Sequence, residues 1–287
     1  MLELFQHDFV QNAFLAGTIV AIVAAIMGYF VVLRAQAFAG HALSHIGFAG
    51  ATGAALLGVS SLLGMFALTL LAALGIGALG ERIRGRDVEI GMVLSLALGL
   101  GVLFLSLYTQ NATEAVGVLF GSILSVTRKD VLITLGCGLA TLLLIAFLFR
   151  PLLFASIDPE VAEARGVPVR LLSIAFMLLL AITVAEAIQV VGVLLVFALL
   201  VAPAATAEHL THRPFSAIVL AVALGLIFTW GGLILAFIGH WPVSFYIAAL
   251  AALSYLISVR INRLRSPRCY KDLPHPGREH ILVSGRP

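Results

Sequence analysis

Phe9-Val10-Gln11-Asn12-Ala13-Phe14-Leu15-Ala16-Gly17-Thr18-Ile19-Val20-Ala21-Ile22-Val23-Ala24-Ala25-Ile26-Met27-Gly28-Tyr29-Phe30-Val31-Val32-Leu33 contains no Asp, Glu, Lys or Arg. A helix rising about 1.5 Å per residue needs roughly 20 apolar residues to cross the hydrocarbon core of a bilayer, and this run exceeds that. It is also too long for the apolar core of a secretion signal, and no Lys or Arg precedes Arg34. The stretch reads as a first membrane span and not as a cleaved leader.

Working outward, eight further stretches qualify or nearly so: 37–57, 62–79, 90–108, 131–149, 171–187, 189–205, 215–237 and 243–259. Only Glu186 and Gln189 mark a turn inside 171–205, so the count is eight or nine. Residues 114–126 are too few to cross and read as a re-entrant or surface helix. The composition agrees: 61% of the 287 residues are hydrophobic and 11% are charged, against about a quarter charged in soluble domains. The expected fold is an all-α polytopic integral membrane protein, its transmembrane domain covering 1–262 and its solvent being lipid. Residues 263–287 form a basic tail with Pro267, Pro274 and Pro276, expected to be cytoplasmic and disordered. His275 and His280 in that tail read as solvated.

The net charge of +3 invites a nucleic-acid reading, but no basic patch is interleaved with aromatic residues, so no nucleic-acid partner is expected. The basic residues report orientation instead. With the N-terminus outside, all but Arg128 and Lys129 of the 17 basic residues fall on the inner side. That asymmetry predicts an outer N-terminus and a cytoplasmic C-terminus. Cys137 lies in an apolar run and Cys269 in the tail, and neither reads as a disulfide partner or ligand. His240-Trp241-Pro242 falls in an outer turn, where Trp241 serves as an interface anchor.

The chemistry concentrates in three segments. In Gly40-His41-Ala42-Leu43-Ser44-His45 the four-residue spacing places both imidazoles on one helix face. Two histidines so placed can share a metal ion, and ionisable groups inside a span usually face a protein interior or a watery path. Gly40, Gly47, Gly50 and Gly53 leave this helix thin enough for a neighbour or a symmetry mate to approach closely. The bland alternative is that each ring hydrogen-bonds a backbone carbonyl across a helix interface. The second segment, Ser156 to Pro168, reads as a short cytoplasmic helix: Asp158 caps it, Pro159 takes its first position, Glu160 its first turn, and Gly166 ends it. It is either an ordinary amphipathic loop helix or a docking element for a motor. In the third, from Glu186 to Ala207, Pro203 invites a kink. Glu186 and Gln189 either line an outer route for metal or mark a plain interfacial turn.

Neither Lys129 nor Lys271 sits in a phosphate-binding loop, and no nucleophile is placed beside a base. The chain is therefore not expected to be an enzyme, and any ATP hydrolysis belongs to a separate subunit. An ion-coupled secondary transporter without ATPase and a membrane scaffold are the other classes open to such a chain.

At these segments the sequence resembles the ABC-3 family of metal permeases, the membrane subunits of bacterial zinc and manganese importers. The likeness runs from about residue 10 to 262. It is carried by Leu33-Arg34 leading to Gly40-His41-Ala42-Leu43-Ser44-His45, by Phe120-Gly121-Ser122-Ile123-Leu124, by Asp158-Pro159-Glu160 with Ala162 and Gly166, and by Val191-Gly192 through Pro203-Ala204-Ala205-Thr206-Ala207. It implies a multi-pass protein of the bacterial inner membrane, a homodimer or permease pair, two cytoplasmic ABC ATPase subunits, and a periplasmic or extracellular metal-binding protein. It implies that 156–166 is the coupling helix, with Asp158, Glu160, Ala162 and Gly166 at the ATPase contact. Family members often carry an aspartate where His41 stands, while a histidine at the place of His45 is usual. Exchanging an oxygen ligand for imidazole favours Zn2+ over Mn2+ or Fe2+ as the transported ion. No permanently bound cofactor is expected.

Overall fold

Hydrocarbon offers no hydrogen bonds, so an apolar run in lipid must satisfy its backbone internally, and a helix does so. The computed structural model describes residues 8–79, 86–107, 121, 123–211, 213–239 and 241–265. Among them run α1 (Asp8–Leu33), α2 (Ala37–Leu56), α3 (Ser61–Leu79), α4 (Arg86–Leu107), α5 (Arg128–Ile157), the short α6 (Pro159–Ala164), α7 (Val169–Val191), α8 (Val193–Leu210), α9 (Pro214–Ile238) and α10 (Val243–Arg265). Each expected span is present as a helix. Eight of the nine long helices are long and apolar enough to cross a membrane, and α2 is the exception.

Several boundaries differ from the sequence reading: α8 runs on to Leu210, α10 runs to Arg265 and so enters the expected tail, and two further differences are structural. The turn within 171–205 is not at Glu186 or Gln189, which both lie inside α7. The break is at Gly192, whose φ of +83° takes the left-handed region open to glycine. Gly121, also at positive φ, packs so closely on the backbone of Val191 and Gly192 that a Cβ would overlap it. The second difference is α5, expected over 131–149 but continuing through Pro151 to Ile157. Proline removes one hydrogen bond without ending a membrane helix, because neighbouring helices hold its flanks. α5 starts at a capping box, in which the Thr127 hydroxyl accepts from the Asp130 N–H at 3.3 Å and Asp130 Oδ2 accepts from the Thr127 N–H at 2.9 Å. Of the expected element at 114–126, Ile123–Ser125 forms one 3-10 turn, and 114–120 and 122 lie outside the described residues. So does the tail beyond 265.

The core sits where α1, α7 and α8 meet. Met27, Phe30, Phe176, Leu180 and Leu200 are fully enclosed there, and Phe30 makes edge-on contacts with Phe149 at 5.7 Å and Phe176 at 6.4 Å. The outer helices turn large apolar side chains outward, among them Leu96, Leu139, Phe147, Ile227 and Leu256. That is the pattern of a lipid-facing surface. Polar contacts gather at the two ends of the bundle. At one end Arg128 pairs with Asp8 at 2.9 Å and Gln189 donates to Asp130 at 2.8 Å. At the other lie Arg34, Ser156, Ser173, and Asn262 beside His209 at 3.3 Å.

Candidate functional site

α2, the one long helix among the described residues that falls short of the apolar character of a span, packs on α3, α4, α7 and α8. Its glycines make that enclosure. A Cβ at Gly50 would strike the backbone of Gly64 in α3, one at Gly47 would come 3.2 Å from Thr69 Cγ2, one at Gly40 3.0 Å from Leu200 Cδ2, and one at Gly53 3.0 Å from Phe104 Cε2. The bare face thus serves contacts within the chain. His41 and His45 are half-buried on the same helix. Their ring centroids are 4.6 Å apart with the planes at 84°, and the His41 ring also stands 5.0 Å from that of Phe197 in α8.

Both Nδ1 atoms are buried and neither has a hydrogen-bond partner among the described residues. The bland alternative, a ring anchored to a carbonyl of a neighbouring helix through Nδ1, is therefore not what this conformation holds. Among the described residues no group of three or more His, Cys, Asp or Glu converges. The described residues of one copy bring two imidazoles to this place and no third ligand of that kind.

The segment 156–168 follows the sequence reading closely. Asp158 Oδ1 accepts from the Val161 N–H at 3.0 Å, Pro159 takes the first helical position, and Gly166 leaves the short helix at φ +83°. Ala162 is fully buried against Ala155 and Leu172, with Val167 and Leu148 around them. Glu160, Glu163 and Arg165 face outward. A single alanine thus pins α6 to the bundle, with its charged residues on the outward side.

Glu186 and Gln189 separate into different environments. Gln189 Nε2 donates to Asp130 Oδ1 near the bundle end. Glu186 is only 3% exposed and points at α5, which is not among the helices that pack on α2. Both lie inside α7, so neither marks the interfacial turn that is the other reading of this pair.

Sequence reasoning gave Arg34 no role beyond its motif. In the structure it closes the three-residue link between α1 and α2, where Ala35 takes a φ of +52°. Its Nη2 donates to Ser173 Oγ at 2.7 Å, its Nη1 approaches Ser156 Oγ at 3.5 Å, and its guanidinium stands 5.2 Å over the Phe176 ring. It thereby ties the foot of the histidine helix to both flanks of α6. A charge-assisted hydrogen bond contributes about 1.5–3 kcal/mol, so Arg34→Ala is expected to lower the melting point of the purified protein by several degrees. A double-mutant cycle with Ser173→Ala is expected to give a coupling of about 1–2 kcal/mol, and zero coupling would remove this link.

The eight long apolar helices and their apolar surface define a multi-pass membrane protein with polar residues enclosed in its core. The ABC 3 transport family matches residues 6–262, and the chain belongs to that family. The manganese transport system membrane protein MntC of Halalkalibacterium halodurans is 35% identical over 80% of this chain and 80% of its own length. The manganese import system permease protein ScaB of Streptococcus parasanguinis is 34% identical over 88% of this chain and 90% of its own. A solved structure of PsaBC from Streptococcus pneumoniae in complex with Fab contains a chain that superposes with a TM-score of 0.81 at 33% identity, covering 92% of this chain and 97% of that one.

Proposed function

We propose that this chain is the membrane permease of an ATP-driven importer of divalent metal, with zinc as its cargo. The observation that carries the reading is the histidine pair: two adjacent imidazoles without hydrogen-bond partners among the described residues, on the one long helix there that falls short of the apolar character of a span. Imidazole suits zinc, whereas carboxylate and water suit manganese better. Two ligands leave a tetrahedral ion half-coordinated. A second copy of the chain, meeting this one near α2, would complete the set with its own pair. A transport site must also release its ion, and ligands that separate as two protomers move apart provide for that.

ATP hydrolysis belongs to separate cytoplasmic subunits docked on α6 through Asp158, Glu160, Ala162 and Gly166. A metal-binding protein delivers the ion from outside the inner membrane. The positive-inside bias sets the orientation, with the Arg34 end and the basic tail in the cytoplasm. A second reading is manganese or iron import by the same machine, and the names of the manganese relatives favour manganese.

Metal-stimulated ATP hydrolysis by the reconstituted complex decides between them. Zinc is expected to stimulate at a free concentration at least tenfold below manganese. The reverse order would replace zinc by manganese. Uptake by this subunit alone, driven by an ion gradient without ATP, would overturn the importer reading itself.

A further inference from the structure

The face that α5 turns towards α1 and α7 carries a second set of buried polar groups. Asp130, Thr134, Gly138 and Thr141 recur at helical spacing and form one stripe. Asp130 heads it at the Arg128 end, where it accepts from Gln189. Thr134 and Thr141 are buried, yet neither Oγ1 has a partner among the described residues. Thr206 on α8 and Thr229 on α9 share that state, whereas Thr52, Thr69 and Thr183 each donate to the carbonyl four residues earlier. Between the two threonines Gly138 leaves room for the Glu186 carboxyl, and a Cβ there would lie 3.3 Å from its Oε1. Both Glu186 oxygens are enclosed and have no hydrogen-bond partner among the described residues. Past Thr141 the stripe turns apolar at Ile145, Phe149 and Leu152. The polar face therefore leads to one end of the bundle alone.

An ionised carboxylate in such a place is strongly disfavoured without a compensating cation. None stands near it among the described residues. α1 presents Ile19 and Val23. α5 presents Cys137, within Coulombic reach, and Asp130 further along. α3 has no titratable residue. The histidines of α2 sit beside Phe197, and Glu160 and Glu163 of α6 and Glu208 and His209 of α8 lie towards the opposite end. A hard metal cation needs about six oxygen ligands, and the only carboxyl buried here among the described residues is that of Glu186. A proton needs one oxygen.

We propose that Glu186 is a proton-binding site, separate from the histidine pair and reached from the Arg128 end past Asp130, Gln189 and Thr134. One proton adds to a carboxylate oxygen to give the neutral acid, and on release it returns to water at that end. The site stands independently of the metal reading and needs no cargo to be observed.

Infrared difference spectroscopy on the full chain in lipid tests it. The wild type is expected to give the carbonyl stretch of a neutral carboxylic acid at neutral pH, shifting in heavy water. Glu186→Gln removes that band and Glu186→Asp keeps one at a displaced position, which separates loss of the acid from loss of the fold. Thr134→Val is expected to slow the isotope shift at least threefold, and Thr141→Val to leave it unchanged. A carboxylate signal in place of the acid band would overturn the proposal, as would slowing by Thr141→Val alone, which would mean access from the other end.

Discussion

Gly28→Val is expected to leave almost no folded protein. Gly28 lies in the C-terminal part of α1 (Asp8–Leu33) against α8, so close that a Cβ would overlap the carbonyl of Leu200, with the Ala204 methyl 3.5 Å from that Cβ. Helix association in lipid depends on close packing, because burying apolar surface gives no gain over leaving it in hydrocarbon. A larger residue at this contact must move one central helix away from another, since a helical carbonyl cannot rotate aside as a side chain can. Overpacking a core with a yielding neighbour costs about 1–3 kcal/mol; here the neighbour is backbone, and the loss should exceed that range. Fluorescence-detected size exclusion in mild detergent should show the monodisperse peak falling at least tenfold. Gly17→Ala is the graded control. Its Cβ would meet the Thr229 methyl at 2.9 Å, a side chain able to give way, so the peak should survive with a lowered melting point. Gly136, with nothing within 4 Å of a Cβ, should accept alanine and gain up to about 1 kcal/mol of helix propensity. If Gly28→Val ran as a monodisperse peak melting near the wild type, the α1–α8 contact would not be what holds the centre together.

Which parts of this molecule could be read from its sequence follows from which interactions are local. Span positions depend on runs of side chains meeting lipid, and each expected run is a helix. The cap at Asp158, the Pro159 start and the Gly166 exit are contained within nine consecutive residues, and they appear as the sequence suggests. The α7–α8 break was misplaced because Glu186 and Gln189 look like surface residues by type. Only their neighbours on α5, some fifty residues away in sequence, explain why one is buried and the other bonded to Asp130. Gly192 was the available signal, a lone glycine in an otherwise β-branched and leucine run. Pro151 carries the converse lesson, since a proline in lipid need not end a helix. The thinness of α2 was legible, but composition cannot say which neighbour fills it. The structure assigns that surface to α3, α4, α7 and α8 of the same chain. Arg34 stayed unread because its partners, Ser156 and Ser173, lie more than a hundred residues away.

Replacing His41 and His45 together by alanine is expected to reduce metal accumulation at least a hundredfold, to the level of a complex whose ATPase cannot hydrolyse ATP. The two rings touch one another and His41 touches Phe197, but neither Nδ1 holds a hydrogen bond among the described residues. Their loss should therefore cost little structure, and the melting point should stay within a few degrees. That pairing of an intact fold with absent transport is what a ligand role requires and a packing role does not. Single substitutions should be less severe, by about tenfold each, because one imidazole and water can still hold an ion loosely. His41→Asp gives a finer reading. It restores an oxygen ligand at the first position and should move the preference from zinc towards manganese, since carboxylate suits the harder ion. It should also make uptake less sensitive to acid, because a carboxylate stays available below the reference imidazole pKa of about 6.5 at which a histidine begins to bind protons in place of metal. Uptake assays with both metals across pH 5.5–7.5 would measure this, at ~0.5-unit steps around that reference value. If the double alanine variant accumulated metal like the wild type, α2 would be a packing helix and the ion would pass elsewhere. The enclosed polarity of α2 would then need a different cause.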